Sequence, residues 1–282
     1  MKNHYLPIFL TFFFVAFSNN AFSQTIPKVN WKKLHVLVYT KNGVGYVHDN
    51  IPSAIAGIQK LGKTNGFAVD SSSSAAVFTK ENLDKYDLLI FANTNNDVFD
   101  TDTQRLAFRQ YIESGGGIVG IHSVMGTERN WTWFKQLLGG TFSWHAVFQK
   151  YHVRVIDKMH PSVKGLPTDW ERADECYFEK DLYAGIHTFL VQDVATLKTD
   201  EKATERVKQN MGSFKDYYPA AWHNFFDGGL AWITTLGHDK NDYSEPVYMQ
   251  HILQGIEFVA SYCQKKRNAA NVYAKHKDDA VK

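Results

Sequence analysis

The chain has 282 residues, and its 31 lysines and arginines nearly balance its 29 aspartates and glutamates. Because the net charge is small and no segment forms a basic face, we expect no nucleic-acid partner. The length allows a large α/β core, and two cysteines, Cys176 and Cys263, are too few to indicate a disulfide framework, so a disulfide and two buried thiols both remain open.

The N-terminal residues have the pattern of a secretory signal peptide. A lysine near the start precedes an apolar run from Leu6 to Phe17, and the small residues Ala21 and Ser23 follow. The run is short for a membrane span, and the small residues predict cleavage after Ser23. We therefore expect residues 1–23 to be removed and the protein to be periplasmic or secreted, with no membrane association afterwards. An uncleaved anchor is the alternative.

Strands and helices alternate in the next part of the chain. The predicted strands are LHVLVY from Leu34, FAVDSS from Phe67, YDLLIFANTN from Tyr86 and GIVGIH from Gly117. Helical patterns run from Asn50 to Gly66, and from Thr101 to the glycines at 115–117. This alternation predicts an α/β fold with a parallel sheet and helices on both faces.

The three glycines before the fourth strand have a predicted structural role. Gly115, Gly116 and Gly117 lie between a helix and a buried strand. We expect one of them to have a positive φ where the helix stops and another to allow close approach of neighbouring atoms.

The pattern changes after a short helix that ends at Gly139. The segments that follow read as strands: KYHVRVID from Lys150, HTFLVQDVATLKT from His187, PAAWHNFF from Pro219 and GLAWITTLG from Gly229. A DGG turn at Asp227 indicates a hairpin, so we predict an added β region beside the parallel sheet. A helix from Glu245 to Cys263 closes the predicted domain of residues 24–264, and the polar tail, residues 265–282, is expected to be frayed.

Polar side chains follow the predicted parallel strands. His48 comes after the first strand, Asn93 after the third, and His122 and Ser123 after the fourth. Ligands of parallel sheets bind beyond the carboxyl ends of the strands. We therefore predict that His48, Asn93 and Ser123 contact a substrate.

Several short motifs, taken together, resemble a known family. They are GYVHD, GGGIVGIHS, LLGGTFSWH, HPSVKGLP, DECY, and LGH followed by Asp239. In this order they resemble the ThuA-like family, which is associated with trehalose utilisation and is similar in fold to class I glutamine amidotransferases. The resemblance runs from about Leu34 to Cys263 and implies a flavodoxin-like sheet. It also implies that the motif histidines and the acidic pair share one pocket.

The resemblance also limits the chemistry. Glutamine amidotransferases carry a nucleophilic cysteine at a sharp turn after a strand, whereas the corresponding stretch here is GIHSV. Without that thiol we expect no glutaminase activity. Ser123 lacks the flanking glycines of a serine hydrolase elbow, so a serine nucleophile is also disfavoured.

Imidazole moves protons near neutral pH or binds metal ions. We therefore predict that His122, Glu175 and Asp174 are catalytic. If a divalent ion such as zinc is bound, the expected ligands are His122, His145 and His238. Acid–base chemistry without a metal is the alternative.

The expected substrate is a small sugar or glycoside, or its keto derivative, and the expected reaction is isomerisation or hydrolysis. Trp144 and Tyr177 are predicted to join the substrate contacts. Two other classes remain open: a non-catalytic carbohydrate-binding protein that stacks sugars on its tryptophans, and an interaction module on an inherited fold. Convergence of His122, His145 and His238 favours the enzyme.

Overall fold

A computed structural model describes residues 28–263 and 271–281 of the chain. The predicted signal peptide, residues 1–23, lies outside the described residues. The strands are β1 (His35–Tyr39), β2 (Ala68–Ser72), β3 (Leu88–Ala92), β4 (Gly117–Ile121), β5 (Thr141–His145), β6 (Gln149–Val155), β7 (Asp169–Asp174), β8 (Tyr177–Lys180), β9 (His187–Asp193), β10 (Tyr217–Phe226) and β11 (Gly229–Thr234). The helices are α1 (Ile51–Asn65), α2 (Lys80–Leu83), α3 (Asp102–Glu113), α4 (Thr132–Leu138), α5 (Glu201–Met211) and α6 (Pro246–Cys263).

A nine-stranded mixed sheet forms the centre, in the order β2-β1-β3-β4-β11-β10-β9-β6-β7. The half from β2 to β11 is parallel, and the half from β10 to β7 is antiparallel. Strands β5 and β8 pair separately as a small antiparallel sheet. The predicted α/β fold with an added β region is confirmed, including the hairpin turn at Asp227 between β10 and β11.

Side chains of the parallel strands alternate between two cores. In β1, Val36 and Val38 face the core that α1 and α6 cover, whereas Leu37 and Tyr39 face the core that α3 and α4 cover. Burial on both faces explains why these strands read as unbroken apolar runs in the sequence.

The glycines before β4 behave as predicted. Gly115 has a φ of +96° just after α3. A Cβ at Gly116 would lie 2.4 Å from the ring of Tyr111, and a Cβ at Gly117 would lie 2.5 Å from Cys263 Sγ. One glycine therefore ends the helix, and the other two allow close packing.

Some elements were not predicted. The strands β5, β7 and β8 and the helix α5 had no prediction, and the predicted strand that begins at His187 ends early, at Asp193. The small strands have only five and four residues. In β7 two of the three buried positions hold the charged residues Arg172 and Asp174, so the apolar alternation that marks a strand is missing.

The predicted fraying of the tail is wrong for residues 271–281. Glu113 Oε2 accepts hydrogen bonds from the backbone N–H groups of Tyr273 and Ala274, both at 3.0 Å. Ala274 and Ala280 are fully buried. This segment therefore packs against α3.

Cys176 and Cys263 are both buried, and no disulfide joins their two thiols. Within the described part of the chain, no helix combines the length and the apolar character that a membrane span requires.

Candidate active site

Three histidines meet at the carboxyl edge of the parallel strands. His48 lies in the loop after β1, His122 directly follows β4, and His238 lies in the loop after β11. Because β1, β3, β4 and β11 are neighbours in the sheet, their loops share one edge. Glu175 reaches the same place from the turn between β7 and β8. One ligand atom from each of these four residues lies within 4.8 Å of the other three.

His122 has an unusual backbone and a fixed ring. Its φ is +52°, in the left-handed region that few non-glycine residues adopt, and its side chain is fully buried. Its Nδ1 donates a hydrogen bond to the carbonyl oxygen of Thr235 at 2.9 Å. This bond leaves the lone pair of Nε2 directed at the other histidines. In metal-binding imidazoles the nitrogen that does not bind the metal commonly makes such a hydrogen bond.

The distances around His122 Nε2 suit a metal centre. It lies 3.2 Å from His48 Nε2 and 3.3 Å from His238 Nδ1. Glu175 Oε2 lies 3.7 Å from His122 Nε2 and 3.2 Å from His238 Nδ1. Two ligands at about 2.0–2.1 Å from a tetrahedral zinc ion are separated by about 3.3 Å. The imidazole nitrogens therefore fit the first shell of a divalent ion.

Asp174 supports the site from behind. Its buried carboxylate accepts hydrogen bonds from the backbone N–H groups of Glu175 (2.9 Å), Gly237 (2.8 Å) and His238 (3.2 Å), and it pairs with Arg172 at 3.3 Å. It does not line the cavity described below. These contacts hold the backbone that carries Glu175 and His238, so the geometry of Asp174 favours a positioning role.

Asn93 belongs to a second supporting network and not to the cavity lining. The side-chain amide of Asn50 donates to the carbonyl oxygens of Gly237 and His238, both at 2.8 Å, and to Asn93 Oδ1 at 3.2 Å. Asn93 in turn donates to the hydroxyl of Tyr243 at 2.8 Å. Asn93 therefore contacts Asn50 and Tyr243, which both bond to the His238 loop, and the structure places it outside the cavity lining.

The electrostatics favour the metal-binding forms of His48, His122 and Glu175, whereas His238 is shifted toward its protonated form. Burial lowers the pKa values of His48 and His122 to about 3, so both rings are neutral at neutral pH. The hydrogen bond to Glu175 raises the pKa of His238. Burial raises the pKa of Glu175, but the hydrogen bond from His238 and the nearby histidines outweigh burial and lower it overall. Neutral imidazole and ionised carboxylate are the forms that bind metal ions.

A cavity of about 400 Å³ opens beside these groups, a size typical of small-molecule sites. Of the predicted residues, six line it: His48, Ser123, His145, Glu175, Tyr177 and His238. His122 lies behind this lining, and its Nε2 is 3.1 Å from the hydroxyl of Tyr177.

Sequence reasoning missed five residues of the lining, which are Tyr46, Asn95, Gly126, Arg129 and Phe142. Tyr46 and Asn95 stand in the strand-end loops whose other polar residues were selected, so their position was an available signal. Phe142 lies within the motif LLGGTFSWH, whereas the sequence offered no comparable signal for Arg129.

Two residues of β5 that were predicted for the site, His145 and Trp144, have different contacts from each other. His145 pairs in register with Tyr177 of β8, and its Nδ1 lies 3.4 Å from Glu175 Oε1, outside the group of four ligand atoms. Trp144 stacks on Phe178, with ring centroids 5.7 Å apart, and does not line the cavity. The structure therefore groups His48, and not His145, with His122 and His238, and it places Trp144 outside the cavity lining.

Comparisons with known proteins agree with this fold. Residues 35–259 match the family model ThuA, described as trehalose utilisation. No curated protein sequence matches the chain.

Three solved structures are similar to it. A ThuA-like protein from Bacteroides uniformis ATCC 8492 has a TM-score of 0.64 and 20% identity, with 83% of this chain and 94% of that chain covered. A ThuA-like protein from Parabacteroides merdae ATCC 43184 has a TM-score of 0.62 and 20% identity, with 81% and 90% covered. A cytoplasmic protein from Salmonella typhimurium has a TM-score of 0.53 and 13% identity, with 80% and 99% covered. At these identities the likeness concerns the fold.

Proposed function

The chain belongs to the ThuA family, as its motifs predicted, and from this premise we propose that it is an enzyme acting on a carbohydrate or keto-sugar derivative. The observation that carries the proposal is the convergence of His48, His122, His238 and Glu175 beside one cavity. The description of the family, trehalose utilisation, supports a small sugar or glycoside as substrate. The reaction is isomerisation or hydrolysis, and with a keto derivative as substrate it begins with removal of a proton beside the carbonyl group.

His48, His122 and His238 would hold a divalent ion, and zinc would suit three imidazoles best. Such an ion would act as a Lewis acid toward a carbonyl oxygen of the substrate. The support for this assignment is the spacing of 3.2 and 3.3 Å between the imidazole nitrogens.

Glu175 is the proton acceptor. Its Oε2 lies beside the imidazole nitrogens, and its Oε1 is 3.4 Å from His145 Nδ1. Because His145 Nδ1 also donates to the carbonyl oxygen of Ala146 at 3.0 Å, this nitrogen already carries a proton; it orients the carboxylate of Glu175, which itself holds the proton taken from the substrate. Tyr177 donates a hydrogen bond to the developing oxyanion. Burial raises the pKa of its phenol well above the usual value, which keeps the hydroxyl protonated at neutral pH.

The test is turnover of trehalose, other glycosides and their keto derivatives by the purified full-length protein, with chelator and after zinc is restored. We expect zinc-dependent turnover of a member of this panel. Glu175→Gln should lower the rate by about 10²–10⁴-fold, the usual effect of losing a general base. Glu171→Gln, an exposed glutamate of β7, is the matched control and should leave the rate unchanged. No turnover across the panel, or a Glu175→Gln variant within a few-fold of wild type, would contradict the proposal.

We also propose export to the periplasm or the medium, with cleavage after Ser23. The support is the apolar run from Leu6 to Phe17 and the small residues that follow it. Mass spectrometry of the protein from its native cells should find Gln24 at the N-terminus. An intact Met1 on protein in the cytoplasmic fraction would overturn this proposal.

A further inference from the structure

The cavity contains an arginine that contacts no carboxylate in the described part of the chain. Arg129 is exposed at its surface and lines the cavity together with Glu175 and His238. Among residues 28–263 and 271–281, no carboxylate oxygen lies within 4.0 Å of its guanidinium nitrogens. A guanidinium with this position and no carboxylate partner is available to a ligand.

Local contacts hold this guanidinium in place. Its Nε donates to the carbonyl oxygen of Gly126 at 2.9 Å, one terminal nitrogen donates to Asn95 Oδ1 at 3.2 Å, and its Cζ lies 5.3 Å from the centre of the Phe142 ring. These bonds use two of the five N–H groups of the arginine and leave three for a ligand.

Gly126 makes this arrangement possible. A Cβ there would lie 2.4 Å from Asn95 Oδ1 and 2.7 Å from Arg129 Nη2. Any larger residue would push both side chains away from their positions, so the backbone is built to let the guanidinium approach.

A second polar group in the same cavity also lacks a protein partner. The hydroxyl of Ser123 is buried, makes no hydrogen bond, and belongs to a residue that lines the cavity. A buried hydroxyl without a partner is costly unless a ligand satisfies it. Ser123 and Arg129 together therefore indicate a subsite for a polar group of the substrate.

The charge of the cavity favours an anion there. Among the residues described as lining it, Glu175 is the one carboxylate, and Arg129 balances that charge. A divalent ion on the three histidines would make the cavity positive, and a positive concave site attracts anionic ligands.

This inference rests on the proposed function. We propose that the substrate carries a carboxylate, as a sugar acid does. Arg129 binds this carboxylate, and Ser123 donates a hydrogen bond to the same end of the ligand. A planar guanidinium matches a carboxylate with two parallel N–H···O bonds. A neutral hydroxymethyl group at the same place would accept hydrogen bonds from only some of the N–H and O–H groups of Arg129 and Ser123.

The test compares two ligands of the same ring, glucuronate and glucose, by isothermal titration calorimetry on the full-length protein with and without zinc. Glucuronate should bind wild type at least about tenfold more tightly than glucose, because hydrogen bonds to charged groups are the stronger ones. Arg129→Gln should make the two affinities equal. Arg206→Gln is the matched control, since Arg206 is also exposed and lies 5.0 Å from an aromatic ring, that of Trp144, away from the cavity. It should keep the preference.

Zinc binding by each variant is measured separately, which distinguishes the two proposals. A wild type that binds no zinc but keeps a preference that depends on Arg129 contradicts the metal centre and supports the carboxylate subsite. Equal binding of glucuronate and glucose by wild type, absence of binding by both, or a preference that survives Arg129→Gln overturns the subsite. Tighter binding of glucose 6-phosphate than of glucuronate also overturns it, in favour of a phosphate.

Discussion

One atom, His122 Nε2, determines what the site is able to bind. It lies between His48, His238 and the hydroxyl of Tyr177, and the bond from His122 Nδ1 to Thr235 fixes its orientation. The left-handed backbone of His122 turns the ring toward this position directly at the end of β4. Strain of this kind is retained where the surrounding structure holds it in place.

His122→Asn tests the ligand role with little damage to the fold. Asparagine tolerates the left-handed backbone, and its amide is able to replace the donor to Thr235. We expect the affinity for zinc to fall by more than about 100-fold, since even outer-sphere changes cost about 10–100-fold. Titration calorimetry with zinc measures this, with His145→Asn as a control that binds zinc nearly as well as wild type. Wild-type affinity in His122→Asn would remove His122 from the ligand set.

Glu179 gives a prediction on pH and stability. Both of its carboxylate oxygens are buried without hydrogen bonds, and burial raises its pKa from 4.5 to about 8. The folded state therefore holds this proton more tightly than the unfolded state, so stability is lost as the pH rises from about 4.5 to 8. Glu179→Gln removes this titration. The free energy of unfolding of the variant minus that of wild type should therefore increase as the pH rises from about 4.5 to 8.

Urea unfolding at pH 5 and at pH 8.5 measures the difference for Glu179→Gln. Glu171→Gln, on the exposed part of β7, is the control and should show little change with pH. If Glu179→Gln and wild type differ in free energy of unfolding by the same amount at pH 5 and at pH 8.5, Glu179 does not titrate as described.

At the level of elements, the site depends on where strands end. His48, His122 and His238 follow β1, β4 and β11, and their proximity results from the neighbouring positions of these strands. The sequence predicted the strand ends, because apolar runs with glycines and polar residues after them mark them well. It did not predict the small sheet of β5 and β8, which supplies His145 and Tyr177.

Gly116→Val tests the packing between α3 and β4. A side chain at Gly116 would overlap the ring of Tyr111, so the yield of folded protein should fall, and the fraction that folds should bind zinc normally. Gly66→Asn is the control, since the nearest atom to a Cβ at Gly66 would be Lys32 Cγ at 4.0 Å and asparagine tolerates the left-handed conformation of Gly66, with φ +85° and ψ +26°. A fully stable Gly116→Val variant with lost zinc or ligand affinity would instead indicate a direct role of this glycine in the site.

For the whole molecule, the parallel half was the more predictable. Its strands are buried on both faces and alternate with helices, which leaves a clear pattern in the sequence. The order of the antiparallel strands depends on pairing between distant segments, such as β6 with β9, which no local pattern records. For the same reason the sequence could not show that Asp174 lies behind the site or that Arg129 faces the cavity, because the direction of a loop side chain depends on distant contacts.

The central claim is that His48, His122 and His238 form a metal centre. X-ray absorption spectroscopy at the zinc edge, on full-length protein loaded with one equivalent of zinc, tests it most directly. We predict a first shell of nitrogen and oxygen at about 2.0–2.1 Å, with the outer scattering of three imidazole rings, one of which is lost in His122→Asn. Failure to retain one zinc per chain, or a shell without imidazole scattering, would contradict the account.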